Sequence, residues 1–196
     1  MKLDQAFYER NEVEKIAREL IGKQLFTKTK GVITGGMIVE TEAYSWKERG
    51  CHAFGGRMTE RNKMMFETGG HSYVYLCYGI HNLFNVVTNR NGIADAVLIR
   101  AIEPIQGIEV MQQRRGKLNN PFHLTSGPGK LTKALGIDRT FNGKFLLNNE
   151  VWIEDTGEKI SRRYIIKSER IGIDYAGEDA RLPWRFAFKG SKWVSK

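Results

Sequence analysis

Short runs of β-branched and aromatic residues recur along the chain, and turns that contain glycine separate them. The clearest pair of runs, residues 81–88 (HNLFNVVT) and 94–103 (ADAVLIRAIE), flanks Asn91-Gly92. This dipeptide favours the tight turn of a β-hairpin, because both of its residues tolerate positive φ. Further runs of this kind on either side predict a sheet built largely from hairpins.

Helical patterns are few and short. Residues 11–22 carry apolar side chains at helical spacing, with Asn11 as the expected N-cap and Gly22 at the end. Pro104 and Pro128 are each expected to begin another helix, because proline fits the first helical position. Strands interrupted by a few helices predict an α+β fold with a curved, mostly antiparallel sheet flanked by helices.

The length of 196 residues, with 41% hydrophobic residues, predicts a single domain over residues 1–196. No run of apolar residues approaches the length of a membrane span, and the first residues do not resemble a signal peptide. We therefore expect a cytoplasmic protein of bacterial type. Cys51, Cys77 and the four histidines lack the spacing of metal ligands or of a disulfide framework, so neither a metal nor a cofactor is expected.

The charge of the chain is strongly basic, with 31 Lys and Arg residues against 22 Asp and Glu residues and a net charge of +9. A basic surface releases counterions when it binds a phosphate backbone, which favours a nucleic-acid partner. Many basic proteins nevertheless carry lysines that are only solvated. Charge alone therefore leaves both interpretations open.

Two glutamates stand two residues apart in the strand-like segment 38–44 (IVETEAY). Alternation along a strand places Glu40 and Glu42 on the same face. Taken alone, such a pair is more often an exposed polar edge than a catalytic site. Aromatic neighbours change that expectation, because a carboxylate in apolar surroundings can act as a base toward water. Tyr44 and the tyrosine-rich segment 72–79 (SYVYLCYG) would provide such neighbours.

The same tyrosine-rich segment raises a second question, because its three tyrosines do not share one face. Alternation places Tyr73 and Tyr75 together, whereas Tyr78 falls on the opposite face just before Gly79, where the strand must bend. Core packing explains Tyr73. We expect the Tyr78 ring to be exposed at a hairpin tip, and such a ring is large enough to insert between stacked bases.

Six segments together resemble one family of enzymes, the alkyladenine DNA glycosylases, also called methylpurine or 3-methyladenine DNA glycosylases. They occur in the family's order and approximate spacing, and the likeness runs from about Leu20 to Ser195. The segments are residues 38–44, 52–66, 73–85, 96–104, 124–137 and 170–195. The resemblance implies a monomeric enzyme without cofactor, whose protruding β-hairpin enters damaged double-stranded DNA. It would flip out alkylated or deaminated purines and hydrolyse the N-glycosidic bond to leave an abasic site.

The resemblance also implies which residues carry out the chemistry. Glu42 matches the family's catalytic acidic residue, which would activate water and stabilise positive charge on the sugar. Arg100 matches an arginine that helps to hold the water and the glutamate, and Glu40 is then a structural neighbour. No lysine nucleophile is matched, so the expected enzyme is monofunctional and uses water rather than a Schiff base.

The residues that the resemblance assigns to binding surround the flipped base. Tyr44, His52 and Tyr75 match the side chains that sandwich it, and aromatic faces also attract cationic alkylpurines. His52 is assigned to binding rather than to acid catalysis. Asn85 matches an asparagine that crowds the exocyclic amine of guanine. Tyr78 matches the tyrosine that fills the space left by the flipped nucleotide.

Several basic residues in loops are candidates for phosphate contacts, on the ground of charge and position. The main candidates are Arg57, Arg61, Lys63 and Lys130, and the further ones are Arg114, Arg115 and Lys133.

Two other functions remain open. The basic charge and the exposed tyrosine are also typical of a module that binds distorted DNA without cutting it. A glycoside hydrolase using Glu40 and Glu42 is disfavoured, because carboxylates two apart on one strand point in parallel and do not readily flank a bond.

Overall fold

A computed structural model describes residues 1–158 and 160–195. Eight strands in these residues form one sheet, in the order β3-β4-β5-β2-β1-β6, with β8 paired to β2 and β7 paired to β8. Every pairing between these strands is antiparallel, which confirms the expected α+β class with an antiparallel sheet. The strands are β1 Gln24–Thr29, β2 Val32–Tyr44, β3 Ser72–Cys77, β4 His81–Thr88, β5 Asp95–Gln106, β6 Val151–Glu154, β7 Ile165–Ser168 and β8 Arg185–Phe188.

Four α-helices and several 3-10 helices accompany the sheet in the described residues. The α-helices are α1 Gln5–Tyr8, α2 Val13–Glu19, α3 Ile108–Arg115 and α4 Pro128–Leu135. The 3-10 helices are Phe54–Gly56, Lys63–Phe66, Pro121–Leu124, Arg139–Phe141, Arg162–Tyr164 and Asp174–Arg181. No helix of the described part of the chain is long and apolar enough to cross a membrane.

Strand β2 is the centre of the sheet, because it pairs with β1, β5 and β8. Its register with β5 shifts around Glu40, so an irregularity occurs where the predicted carboxylate pair begins. Gly36 allows β2 and β5 to approach closely, since a Cβ at this position would collide with the carbonyl oxygen of Glu103. Irregularities of this kind often redirect side chains near functional sites.

The core lies between the sheet and helices α2 and α4. Helix α2 packs on β2 and β5, and α4 packs on β4 and β5. Ile16, Leu20, Phe84, Leu131 and Leu135 are all fully buried in this core. Truncating one of these leucines to alanine would cost about 2–5 kcal/mol of unfolding free energy. The core therefore fixes the strands whose ends carry the candidate site.

Two helix starts differ from the sequence prediction. Pro104 lies inside β5 opposite Gly36, and α3 begins only at Ile108, after Gly107 with φ 70°. Strand β4 pairs with β5 only up to Leu98. Among the described residues, the edge of β5 that faces away from β2 therefore has no partner strand at Pro104, and the N–H that proline lacks is not needed there for a hydrogen bond between strands. Helix α2 begins at Val13 with Glu12 rather than Asn11 at the N-cap. Pro128 does begin α4, as expected.

Candidate active site

An open cavity of about 850 Å³ lies across the ends of β2, β3, β4 and β5. It brings together most of the side chains that the sequence singles out. Those that line it are Tyr44, His52, Arg61, Tyr75, Tyr78, Asn85, Arg100 and Lys130. The described residues contain no cluster of His, Cys, Asp and Glu side chains that could hold a metal ion.

Sheet register explains why these residues meet. Glu42 pairs with Leu98 of β5, Leu98 pairs with Asn85 of β4, and Asn85 pairs with Tyr73 of β3. Directly opposed residues in antiparallel strands point to the same face, so this row carries its side chains on one side of the sheet. Residues two positions along each strand, such as Tyr75 and Arg100, extend the same face.

The Glu42 carboxylate lies directly behind the wall of the cavity and is fully buried. Its Oε2 accepts hydrogen bonds from the Tyr44 hydroxyl at 2.8 Å and from Arg100 Nη1 at 3.2 Å. Its Oε1 accepts a hydrogen bond from the backbone N–H of Ile171 at 2.8 Å. Because Tyr44, Arg100 and Ile171 all line the cavity, one layer of donors separates this carboxylate from the open space.

Glu40 is buried beside Glu42 and is more heavily bonded. Its Oε1 accepts from Arg100 Nε at 3.0 Å and from Arg185 Nε at 2.7 Å. Ser195 donates to Glu40 twice, from its hydroxyl to Oε1 at 2.8 Å and from its backbone N–H to Oε2 at 2.7 Å. Burial alone would lower the pKa of Arg100, but Glu42 and Glu40 offset this effect and the pKa is raised. The two glutamates thus share one arginine and do not flank an open cleft.

Three aromatic side chains form the other wall of the cavity. The ring centroids of His52 and Tyr75 lie 4.5 Å apart, and those of Tyr73 and Tyr75 lie 5.4 Å apart. His52 Nδ1 is 2.9 Å from the Tyr73 hydroxyl. Burial, together with the nearby Arg61, lowers the pKa of His52 to about 4. The imidazole is therefore neutral at neutral pH.

The β3–β4 hairpin ends in a turn at the edge of the cavity. Tyr78 at this turn is 87% exposed, and Ile80 beside it is 73% exposed. Both Tyr78 and Gly79 have positive φ, at 50° and 71°, and Ile80 N–H donates to Cys77 O at 3.1 Å. The exposed tyrosine that the sequence predicts at this tip is confirmed.

Comparison with known proteins assigns the chain to a family. A family model described as methylpurine-DNA glycosylase matches residues 6–192. The chain belongs to this family. It is therefore a DNA N-glycosylase whose partner is DNA.

Similar proteins match this family member over nearly their whole length. One from Clostridium acetobutylicum is 45% identical, over 100% of this chain and 98% of its own. One from Methanocella arvoryzae is 46% identical, over 99% of this chain and 96% of its own. One from Chlamydia felis is 45% identical, over 94% of each chain. All three are named, provisionally, as 3-methyladenine DNA glycosylases.

Sequence reasoning missed the group behind Tyr44. Arg170 binds Glu48 through both of its terminal nitrogens, at 2.7 and 2.8 Å, and it also donates to Ala43 O at 2.9 Å. Its guanidinium carbon lies 4.8 Å from the centroid of the Tyr44 ring. This buried pair supports the tyrosine whose hydroxyl reaches Glu42. Nothing in the local pattern around Arg170 distinguishes it from a surface arginine.

The basic residues divide into three groups. Arg61, Arg115 and Lys130 line the cavity, and Arg61 lies 5.4 Å from the centroid of the Tyr75 ring. Arg57, Lys63 and Lys133 are exposed away from its lining, and Lys63 pairs with Glu60 at 2.8 Å. The guanidinium of Arg114 instead donates to Ala134 O at 2.9 Å, within the fold. A role in packing explains Arg114 better than a phosphate contact.

Helix α4 supports the base of the hairpin. Thr132 Oγ1 donates to Asn82 O at 2.7 Å. The His81 ring lies against Gly129, where a Cβ would come within 2.8 Å of it. The exposed tip thus extends from a strand pair that a buried helix holds in place.

Proposed function

We propose that the protein is a monofunctional DNA glycosylase that removes alkylated or deaminated purines from double-stranded DNA. The substrate class comprises 3-methyladenine, 7-methylguanine, hypoxanthine and ethenoadenine. One observation carries this proposal. A buried carboxylate, Glu42, lies behind an aromatic cavity at whose edge a hairpin exposes the Tyr78 ring.

Glu42 is the proposed base for the attacking water. An ionised carboxylate accepts about four hydrogen bonds, and the described residues supply three to Glu42. One acceptor position on Oε1 is left for a water proton, and the water would reach it by entering between Tyr44, Arg100 and Ile171, the donors that cover the carboxylate. The water oxygen would bond to C1′ while the N-glycosidic bond breaks and its electron pair leaves with the purine. Glu42 would take the proton of the water, and its negative charge would stabilise the oxocarbenium-like sugar.

Tyr44, His52 and Tyr75 are the proposed contacts to the flipped base. The neutral His52 ring can stack or hydrogen-bond, but at neutral pH it has no additional proton to give to a leaving purine. Binding is therefore the role that its lowered pKa supports. Asn85 Nδ2 donates to Tyr73 O at 3.1 Å, which fixes the orientation of its amide in the cavity wall. A fixed amide can discriminate between purines by crowding an exocyclic amine.

Tyr78 is the proposed wedge that occupies the space of the flipped nucleotide. Flipping costs a few kcal/mol and is least costly for damaged or weakly paired bases. An exposed aromatic ring recovers part of this cost by stacking against the neighbouring bases. Arg61 and Lys130 line the same cavity and are the best-placed of the predicted phosphate contacts.

The test is single-turnover cleavage of a labelled duplex that carries one hypoxanthine or one ethenoadenine. We expect wild type to give strand breaks only after alkali, because a monofunctional enzyme leaves an intact abasic strand. Glu42→Gln should lower the rate about 10³-fold, the usual contribution of a positioned general base. Glu150→Gln, at an exposed glutamate paired with Lys144, is the matched control and should cleave like wild type.

Three outcomes would contradict the proposal in different ways. Strand breaks before alkali would indicate a Schiff-base nucleophile. A normal rate in Glu42→Gln would remove Glu42 from the mechanism. Tight lesion binding by wild type without any abasic product, on these lesions and on methylated DNA, would favour a module that binds damage without cutting.

A further inference from the structure

Ser195 reaches the centre of the molecule although it is 155 residues from Glu40 in the sequence. It is buried and lines the cavity. Its hydroxyl donates to Glu40 Oε1 at 2.8 Å and accepts from Arg100 Nη2 at 3.3 Å. A single hydroxyl therefore connects Glu40 with the arginine that also contacts Glu42.

The guanidinium of Arg100 has a separate partner for each nitrogen. Nε donates to Glu40, Nη1 donates to Glu42, and Nη2 donates to Ser195. A guanidinium is planar and rigid, so fixing two of its nitrogens determines the direction of the third. Glu40 and Ser195 together thus direct Nη1 toward the Glu42 carboxylate.

The segment that carries Ser195 is itself anchored to the sheet. Arg185 of β8 donates to Ser195 O at 3.2 Å and to Glu40 at 2.7 Å. The backbone N–H of Ser195 donates to the same glutamate at 2.7 Å. These bonds hold the Ser195 backbone in place independently of its hydroxyl, so removing the hydroxyl alone should leave the segment seated.

We propose that Ser195 is a positioning residue that holds Arg100 in register with Glu42. The inference rests on the proposed function, because it assigns Ser195 to the same reaction. Catalysis is sensitive to small displacements of the groups that surround the reacting atoms. Loss of the hydroxyl frees one nitrogen of Arg100, so that Glu40 alone then directs Nη1 toward Glu42.

The first experiment compares Ser195→Ala with Ser191→Ala under single turnover on a duplex with one hypoxanthine. Ser191 belongs to the same segment, and its hydroxyl accepts from Trp193 N–H at 3.2 Å rather than from the catalytic network. We expect Ser195→Ala to be about tenfold slower at saturating protein, because a hydrogen bond to a charged group is lost. Lesion affinity should stay at the wild-type value, Tm should fall by only a few degrees because one buried hydrogen-bonding group is lost, and Ser195→Thr, which keeps the hydroxyl, should restore most of the rate.

The second experiment asks whether Ser195 acts through Arg100. If it does, Ser195→Ala should add little to the defect of Arg100→Lys, which keeps the charge but not the fork. Effects that multiply in the double variant would show that the two residues act separately and would overturn the inference.

The failures can be told apart. If wild type excises the base and Ser195→Ala excises it at the same rate, the positioning role is wrong and the proposed function stands. A Ser195→Ala protein that loses lesion affinity in proportion to its rate would also overturn the positioning role. If wild type excises nothing from any lesion duplex, the proposed function fails and the inference fails with it.

Discussion

Two hairpins of this molecule both turn at a residue with positive φ that is followed by glycine, but they carry very different side chains. The β1–β2 hairpin turns at Lys30-Gly31, with φ of 51° and 79°. The β3–β4 hairpin turns at Tyr78-Gly79, with φ of 50° and 71°. Positive φ is disfavoured for any residue with a Cβ, and a bulky ring gains nothing from it. Both first positions are strained, yet one holds a solvated lysine and the other a tyrosine that is 87% exposed.

The difference teaches that folding does not require tyrosine at position 78. Lys30 shows that a polar side chain serves such a turn, and a polar residue would not expose an aromatic surface to water. Strained and exposed residues that persist against local preference tend to cluster at functional sites. We therefore propose that the Tyr78 ring serves a surface outside the molecule, and DNA is the partner of this family.

The largest expected contrast between the two turns is in the capture of damaged DNA. Tyr78→Ser should weaken binding to a lesion duplex about 10- to 100-fold, the usual effect of removing a ring that stacks on bases. Lys30→Ser should leave that affinity unchanged within about twofold. The measurement is fluorescence anisotropy with a labelled duplex that carries a non-hydrolysable abasic analogue.

Salt dependence provides the control for this contrast. If Tyr78 acts as a wedge and not through charge, the slope of log affinity against log salt should be the same in Tyr78→Ser as in wild type. A second control is Tyr164→Ser, at a tyrosine that is 43% exposed outside the cavity lining. Equal losses of affinity in Tyr78→Ser and Tyr164→Ser would break the comparison between the turns.

The difference in DNA capture between Tyr78→Ser and Lys30→Ser should hold only at a pH where the cavity keeps its shape. Protonation of His52 sets the lower limit of that pH range. Burial and Arg61 lower its pKa to about 4 from an ordinary value of 6.5. Between these values the unfolded chain binds more protons than the folded one, so the stabilisation is present above pH 6.5 and is lost as pH falls toward 4. The expected loss of unfolding free energy is about 1–3 kcal/mol.

The check is chemical denaturation at pH 7 and at pH 4.5. His52→Gln, which cannot titrate in this range, should lose less stability than wild type between the two pH values. The contrast in DNA capture between Tyr78→Ser and Lys30→Ser should also be larger at pH 7. A wild type and a His52→Gln variant with parallel pH profiles would show that His52 is not buried in its neutral form.

Local sequence patterns predicted the parts of the site that lie on adjacent strands. The alternation in segments 38–44 and 72–79 placed Glu42, Tyr73 and Tyr75 on the strand faces that carry the candidate site. The Asn91-Gly92 dipeptide indicated that β4 pairs with β5. Short-range periodicity suffices here, because antiparallel neighbours joined by short connections have little freedom of register. The connection between β4 and β5 is nevertheless longer than the tight turn that Asn91-Gly92 predicts, since it runs from Thr88 to Asp95. The exposed position of Tyr78 followed from the same alternation and the glycine after it.

Contacts between distant segments could not be predicted in this way. Ile171 and Ser195 reach Glu42 and Glu40 across 129 and 155 residues of sequence. Arg170 likewise reaches Glu48 across 122 residues. Such contacts depend on how the last third of the chain folds back over β2, which no local period encodes. Pro104 shows the converse limit, since a helix-start signal was overridden by pairing along one edge of β5.

The smallest expected effect tests whether positive φ strains the two turns equally. Tyr78→Gly and Lys30→Gly each remove a Cβ from a residue at positive φ, which relieves about 1–2 kcal/mol of strain. The greater freedom of glycine in the unfolded chain takes back about 0.5–1 kcal/mol. Both variants should therefore gain about 0.5 kcal/mol of unfolding free energy, or about 1–2 °C in Tm. If Tyr78→Gly instead loses stability while Lys30→Gly gains it, the Tyr78 ring stabilises the free protein. Its presence at the turn would then have a structural purpose rather than one that requires DNA.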